Sequence, residues 1–266
     1  MTHAQTIEPA HTRPAPTGRP GVPFGRQLRA ELRKLTDTRA GKWLLIAIFA
    51  ATPLVVAGVL LIADPKNLTY GQLVNYTQSP ERILLPIIGI LTVTSEWSQR
   101  TGLITFTLEP NRRRVLVAKL SATLVVGAMV ILVGFGSAAI GNLLGIALRN
   151  GAGSWAFGVA GYRDIAVVLI VGLLQGLAYG MALLATAVAV VFFYVVPNLS
   201  NLLFSSVSGL KDLAPWLDLD NAQAPLYLHQ VSGRQWLEFL TASLIWVVLP
   251  GVIGVVRVLR TEVKSS

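Results

Sequence analysis

The strongest constraint on this chain is a series of long apolar runs. Residues 43–63 are 21 residues without a charge. At about 1.5 Å per residue, such a helix crosses a hydrocarbon layer of roughly 30 Å. Residues 120–148 are equally free of charge, and residues 165–210 form an uncharged block too long for one crossing. With 53% hydrophobic and only 13% charged residues, and a mean hydropathy of +0.61, a soluble fold is excluded. The expectation is an all-α integral membrane protein.

The basic residues divide the same runs. Counted between apolar segments, Lys and Arg number 8, 2, 5, 2, 2 and 3 along the chain, so rich and poor groups alternate. With the rich groups in the cytoplasm, 16 basic residues lie inside and 6 outside. That is the positive-inside bias of a multi-span protein with both termini cytoplasmic. It accounts for the net charge of +9 without nucleic acid, which is not expected as a partner. An even number of crossings is then required, and a turn near Ala185 and Thr186 divides the long block. Six spans follow, near residues 43–63, 77–95, 120–148, 165–184, 187–210 and 237–256. The second is the least regular, because Pro86 interrupts it and Arg82 must snorkel or face a neighbouring helix. Pro53 is expected to kink the first.

Residues 1–23 carry five prolines and no apolar run, and are expected to form a disordered cytoplasmic tail without a cleaved secretory signal. His3 and His11 lie in this tail as solvated side chains. In residues 24–40, Phe24, Leu28, Leu32 and Leu35 recur at helical spacing among basic residues, which predicts an amphipathic helix along the cytoplasmic leaflet and its lipids. Residues 211–235 read as an external loop, with Tyr227 and Trp236 suited to the membrane interface. The sequons at Asn67 and Asn75 matter only in a eukaryotic cell.

Small residues recur within two spans. Gly172, Gly176 and Gly180 stand four apart, as do Ser137, Gly141 and Gly145, and such stripes let two helix backbones approach closely. Packing within one subunit explains them, as does a subunit interface. Asn142 and Gln175 are the buried-looking polar side chains, for which hydrogen bonds between helices are expected. No intramembrane ionisable group stands out, so ion-driven transport lacks its usual midplane charges and energy is expected from elsewhere. The chain has no Cys, and His229 stands alone outside, so no metal, cofactor or catalytic cluster is expected. Gly136-Ser-Ala-Ala-Ile-Gly141 has phosphate-loop glycine spacing, but Asn142 and Leu143 occupy the Lys and Ser/Thr positions. Ser232-Gly-Arg-Gln falls in the external loop. An ATPase is therefore not expected in this chain.

The longest polar interruption between spans is residues 96–119, bearing Glu96, Arg100, Glu109, Arg112, Arg113, Arg114 and Lys119. A solvated loop with its arginines at lipid phosphates would explain it. The order of Glu96, Thr101, Gly102, Leu108, Pro110, Arg112, Arg113, Ala118 and Lys119 resembles the first cytoplasmic loop of type 2 ATP-binding-cassette (ABC) permeases. Glu31, Lys34, Leu35 and Arg39 likewise resemble the E-x-x-K-L-x-x-x-R pattern of that family's elbow helix. Two features depart from the pattern: the glycine follows Thr101 rather than preceding it, and the turn between spans four and five lacks a basic residue. The resemblance implies a six-helix permease domain over residues 24–266, with a cytoplasmic coupling helix between helices 2 and 3. It implies a bacterial plasma-membrane exporter, a separate cytoplasmic ATPase and a second permease subunit, identical or paralogous. Leu103, Phe106 and Leu108 would be the apolar anchors on the ATPase. A non-transporting membrane scaffold is the alternative that the same topology would serve.

Overall fold

The computed structural model describes residues 22–98, 111–229 and 231–260. Every regular element among them is helical. Five helices are long and apolar enough to cross a membrane: Arg39–Ile62, Arg112–Arg149, Val159–Leu183, Thr186–Ser206 and the continuous Gly233–Arg260.

Helix α1 (Phe24–Asp37) turns into α2 (Arg39–Ile62) at Thr38, whose hydroxyl accepts a hydrogen bond from Gly41 N at 3.2 Å. A side chain could not replace Gly41, because its Cβ would stand 2.1 Å from Leu35 O. The face that α1 buries consists of Gln27, Glu31 and Leu35, whereas Phe24 remains exposed. The apolar stripe read from the sequence is thus offset from the face that packs on the bundle. α2 runs unbroken through Pro53.

After a short 3-10 turn at Pro65–Asn67, α3 (Tyr70–Ser98) extends for 29 residues through Pro80 and Pro86. It begins seven residues before the expected span at 77–95. It is not one of the five apolar helices, since Gln78, Glu81, Arg82 and Glu96 interrupt its hydropathy. Yet α3 occupies the centre of the bundle, packed against α1, α2, α4, α5 and α6.

α4 (Arg112–Arg149) has 38 residues and starts eight residues before the expected span, so the Arg112-to-Lys119 stretch is helical. α5 (Val159–Leu183) and α6 (Thr186–Ser206) are separated by Leu184 and Ala185, where Leu184 takes a left-handed φ of 56°. The division of the long apolar block therefore falls within two residues of the expected turn.

The segment expected as an external loop is largely helical. A 3-10 stretch (Ser208–Leu213) leads to α7 (Ala214–Leu217) and α8 (Leu219–Tyr227). α9 (Gly233–Ser243) continues through a π-helical stretch (Leu244–Val248) into α10 (Leu249–Arg260).

α3 and α5 meet at backbone distance. A Cβ at Gly176 would lie 2.1 Å from Pro86 O, one at Gly89 would lie 2.3 Å from Leu173 O, and one at Gly180 would lie 2.9 Å from Ile90 O. Small residues allow this approach, and dispersion between the two backbones holds it. The other stripe faces α2 and the turn after it. A Cβ at Gly141 would meet Val56 Cγ1 at 2.3 Å, and one at Gly145 would meet Leu60 and Leu68 at 3.5 Å.

Candidate functional site

The two charged motifs meet in space. Helical spacing puts Glu31 and Lys34 of α1 on neighbouring turns, joined by an ion pair of 2.7 Å. α1 lies across the end of the bundle where α3 finishes and α4 begins. There Glu96, in the last turn of α3, and Lys119, in the third turn of α4, complete a junction of four charges. Lys34 Nζ is 2.6 Å from Glu96 Oε1, Lys119 Nζ is 2.7 Å from Glu31 Oε2, and Lys119 Nζ is 2.9 Å from Glu96 Oε1.

Three of these residues are buried: Glu31 is 5%, Glu96 5% and Lys119 3% exposed. Burial of separate charges would cost several kcal/mol each, and among the described residues two carboxylates and two ammonium groups offset one another here. Lys119 has a third acceptor in Thr92 O at 3.3 Å, so each of its three N–H donors can find a partner. Thr123 tightens the same layer, donating to Lys119 O at 2.8 Å and lying 3.3 Å from Thr92 Oγ1.

For Lys34, partial burial disfavours the ammonium, but the Glu96 and Glu31 carboxylates outweigh it and raise the pKa above the usual 10.5. A group raised in the folded state contributes its stability below its unfolded pKa and loses it as pH rises through the folded value. On the lysine side the pairing is therefore intact through the physiological range and is lost in strong alkali.

The rest of this end is tied by arginines. Arg112 donates to Val258 O at 3.0 Å and to Leu259 O at 3.3 Å, and Arg257 donates to Ala182 O. These carbonyls sit in the last turns of α10 and α5, where helices leave acceptors unsatisfied and cations are favoured. The start of α4 is thereby fastened to α10 as well as to α1 and α3. Arg113 is exposed, and Arg39 is exposed at the start of α2 and joins no ion pair among the described residues. Thr101, Gly102, Leu103, Phe106, Leu108 and Pro110 lie outside the described residues. Gly172 stands against Pro86, so Gly172, Gly176 and Gly180 all face α3, while Gly141 and Gly145 face α2 and the residues just after it.

The sequence passed over some buried groups. Glu81, a carboxyl group in the 77–95 range, is 2% exposed. Its Oε1 lies where a Cβ at Gly134 of α4 would stand, so the absence of a side chain at Gly134 makes its room. The neighbouring Arg82 does not snorkel alone; its guanidinium lies 4.0 Å from the centre of the Tyr227 ring. Asp164 is fully buried at the start of α5 and paired with Arg163 at 2.7 Å. Asn142 and Gln175 are buried as expected, but their bonds are not between helices. Asn142 donates to Gly153 O at 3.4 Å in the following loop, and Gln175 donates to Tyr179 OH at 2.9 Å within α5.

Comparison with protein-family models finds no match, and comparison with curated proteins finds none either.

Proposed function

We propose that this chain is the permease subunit of a type 2 ABC exporter, forming the translocation pathway and coupling it to a separate ATPase. In this reading α3 is the sixth span, and the protein is multi-pass in a bacterial plasma membrane with both termini in the cytoplasm. ATP hydrolysis belongs to a cytoplasmic partner, and a second permease subunit, identical or paralogous, completes the pathway.

The observation that carries the proposal is the four-charge junction. Glu31 and Lys34 come from the motif that resembles an elbow helix, and Glu96 and Lys119 come from the motif that resembles a coupling loop. Both ends of residues 99–110 are therefore anchored beside one electrostatic node. A partner that pushes on this stretch acts at once on the end of α3 and the start of α4, which is what a coupling element requires.

The test is ATP hydrolysis by the co-purified ATPase, with the full chain reconstituted in lipid. The chain is expected to change the ATPase rate, and Lys34→Gln, at the half-exposed corner of the junction, is expected to weaken that change while the subunits remain associated. Association without any effect on hydrolysis would make the chain a scaffold and reject the coupling role.

A further inference from the structure

Midway along α3, α5 and α6, these helices and the α7–α8 segment line a cavity of about 390 Å³. Sites for small organic ligands commonly measure roughly 300–1,000 Å³. This one is lined by three carboxyl side chains, Glu81, Asp218 and Asp220, and by the single guanidinium of Arg82.

Asp218 is the informative residue. It caps α8, with Oδ1 accepting hydrogen bonds from Asp220 N at 2.9 Å and Asn221 N at 3.2 Å. The side chain is 1% exposed, and its second oxygen, Oδ2, has no hydrogen-bond partner. A buried carboxylate oxygen without a donor is costly, and such atoms in folded proteins normally have a partner. The nearby cation does not fill this role, because the Arg82 guanidinium lies over the Tyr227 ring. Glu81 is a second buried carboxyl group of the lining, on the α3 side, with its unpartnered Oε1 toward Gly134 of α4.

The lining also selects the kind of cation. No three His, Cys, Asp or Glu side chains among the described residues are grouped so as to hold a metal ion. Phe193, Tyr194 and Trp246 line the cavity instead, and aromatic faces attract organic cations while accommodating their carbon skeletons. We propose that this cavity binds an organic primary ammonium compound, its N–H donors reaching Asp218 Oδ2 and its apolar body lying along the aromatic wall. As the cargo site of an exporter the cavity rests on the permease reading, but binding itself does not.

The experiment therefore measures binding without an ATPase. The full chain is placed in phosphatidylcholine nanodiscs and titrated with dansylcadaverine, a fluorescent primary amine, and with dansylamide, which lacks the ammonium group. Empty nanodiscs serve as the blank. Saturable binding of dansylcadaverine at least tenfold tighter than dansylamide is expected. Asp218→Asn keeps the Oδ1 cap and removes the charge, so it is expected to weaken dansylcadaverine at least tenfold and leave dansylamide unchanged. Equal affinity for the two probes, absence of saturable binding, or an Asp218→Asn variant that is folded by circular dichroism and binds normally would each overturn the proposal. The comparison of probes uses the native sequence, so it decides the matter even where a variant fails to fold. A positive result with no ATPase stimulation would leave the site standing and remove the exporter.

Discussion

Lys119 provides the sharpest test of the charge junction. Its side chain is buried, 2.7 Å from Glu31 and 2.9 Å from Glu96. At an effective dielectric constant of about 20, each contact contributes roughly 6 kcal/mol of gross attraction, and desolvation of each ion offsets several kcal/mol of it. Lys119→Met preserves the length of the side chain but takes the buried ammonium away from two buried carboxylates, Glu31 and Glu96. Removing one partner from a buried network of this kind costs about 3–5 kcal/mol. Glu31→Gln added to Lys119→Met removes the surplus negative charge. Its double variant is expected to be less destabilised than the sum of the singles by about 1–3 kcal/mol, the range typical of residues in one ion network. The assay is unfolding of the full chain in detergent micelles, followed by circular dichroism and tryptophan fluorescence. A Lys119→Met loss under about 1 kcal/mol, or strict additivity in the double variant, would refute the claim that these charges form one balanced unit.

Gly176→Leu is expected to force α5 from α3, since even its Cβ would stand 2.1 Å from Pro86 O, a backbone atom that cannot rotate away. A fall in the yield of folded protein on gel filtration checks this, and unchanged yield and thermal stability would contradict the close approach. In the exporter reading, Phe106→Ala is expected to lose a few kcal/mol of ATPase docking, as buried bulky anchors do. Arg113→Ala, an exposed charge, is expected to cost no more than about 1 kcal/mol, and co-purification of the ATPase with each variant checks the order. Single cysteines at Asn67, Ser154 and Ala224 of this Cys-free chain, all exposed, are expected to react with an impermeant thiol reagent in intact cells, whereas one at the equally exposed Ser98 is not; Gln223, in the segment expected from the sequence as a loop, is buried and would not report. Labelling of Ser98 but not of Ala224 would reverse the orientation.

The apolar helices were legible because their hydropathy is continuous on buried and exposed sides alike: α5 reads as clearly with 61% of its most apolar window buried as the outward-facing α6 does. In α6, only 6% of the most apolar window is buried, so its sequence answers to lipid rather than to neighbours and reads as continuous hydropathy. α3 was the least legible for the opposite reason. It buries Thr77, Gln78, Glu81, Thr92, Thr94 and Glu96, polar residues that would be costly against lipid but are tolerable among helices that offer partners. Thr94, for example, donates to Ile90 O at 3.0 Å and lies 2.8 Å from Thr186 Oγ1 of α6. Hydropathy assumes one solvent for every side of a helix, and α3 has protein on most of its sides. The helices of residues 214–227 were hidden by Pro215 and Pro225, although Asp218 followed by an amphipathic stretch is a capping signal that could have revealed α8. The members of the charge junction were visible singly. Their meeting was not, because it depends on α1 folding across the ends of α3 and α4, which no local periodicity encodes.

The central place of α3 bears on how the charge junction and the cavity could communicate. Glu96 at one end belongs to the charge junction, and Glu81 and Arg82 line the cavity, so one helix reaches both. Fifteen residues separate Glu81 from Glu96, about 22 Å along a helix. Between them, Gly89 meets the backbone of α5, and Pro86 and Ile90 receive Gly176 and Gly180. Contacts between backbones have no rotamers through which to absorb a displacement, so α3 cannot slide far along α5 without breaking them. A push at the junction would therefore move α3 and α5 together, carrying Glu81 and Arg82 relative to Asp218 on α8. That motion would separate the carboxylates on the two walls of the cavity and weaken its hold on a cation. In the exporter reading, a spin-label pair on α3 and α8, read by pulsed electron resonance with and without nucleotide on the proposed ATPase, is expected to lengthen. A label pair between α3 and α5 is expected to hold constant. Lengthening of the α3–α5 pair instead would mean that the glycine contact is itself the sliding surface, and the lever would then be α3 alone.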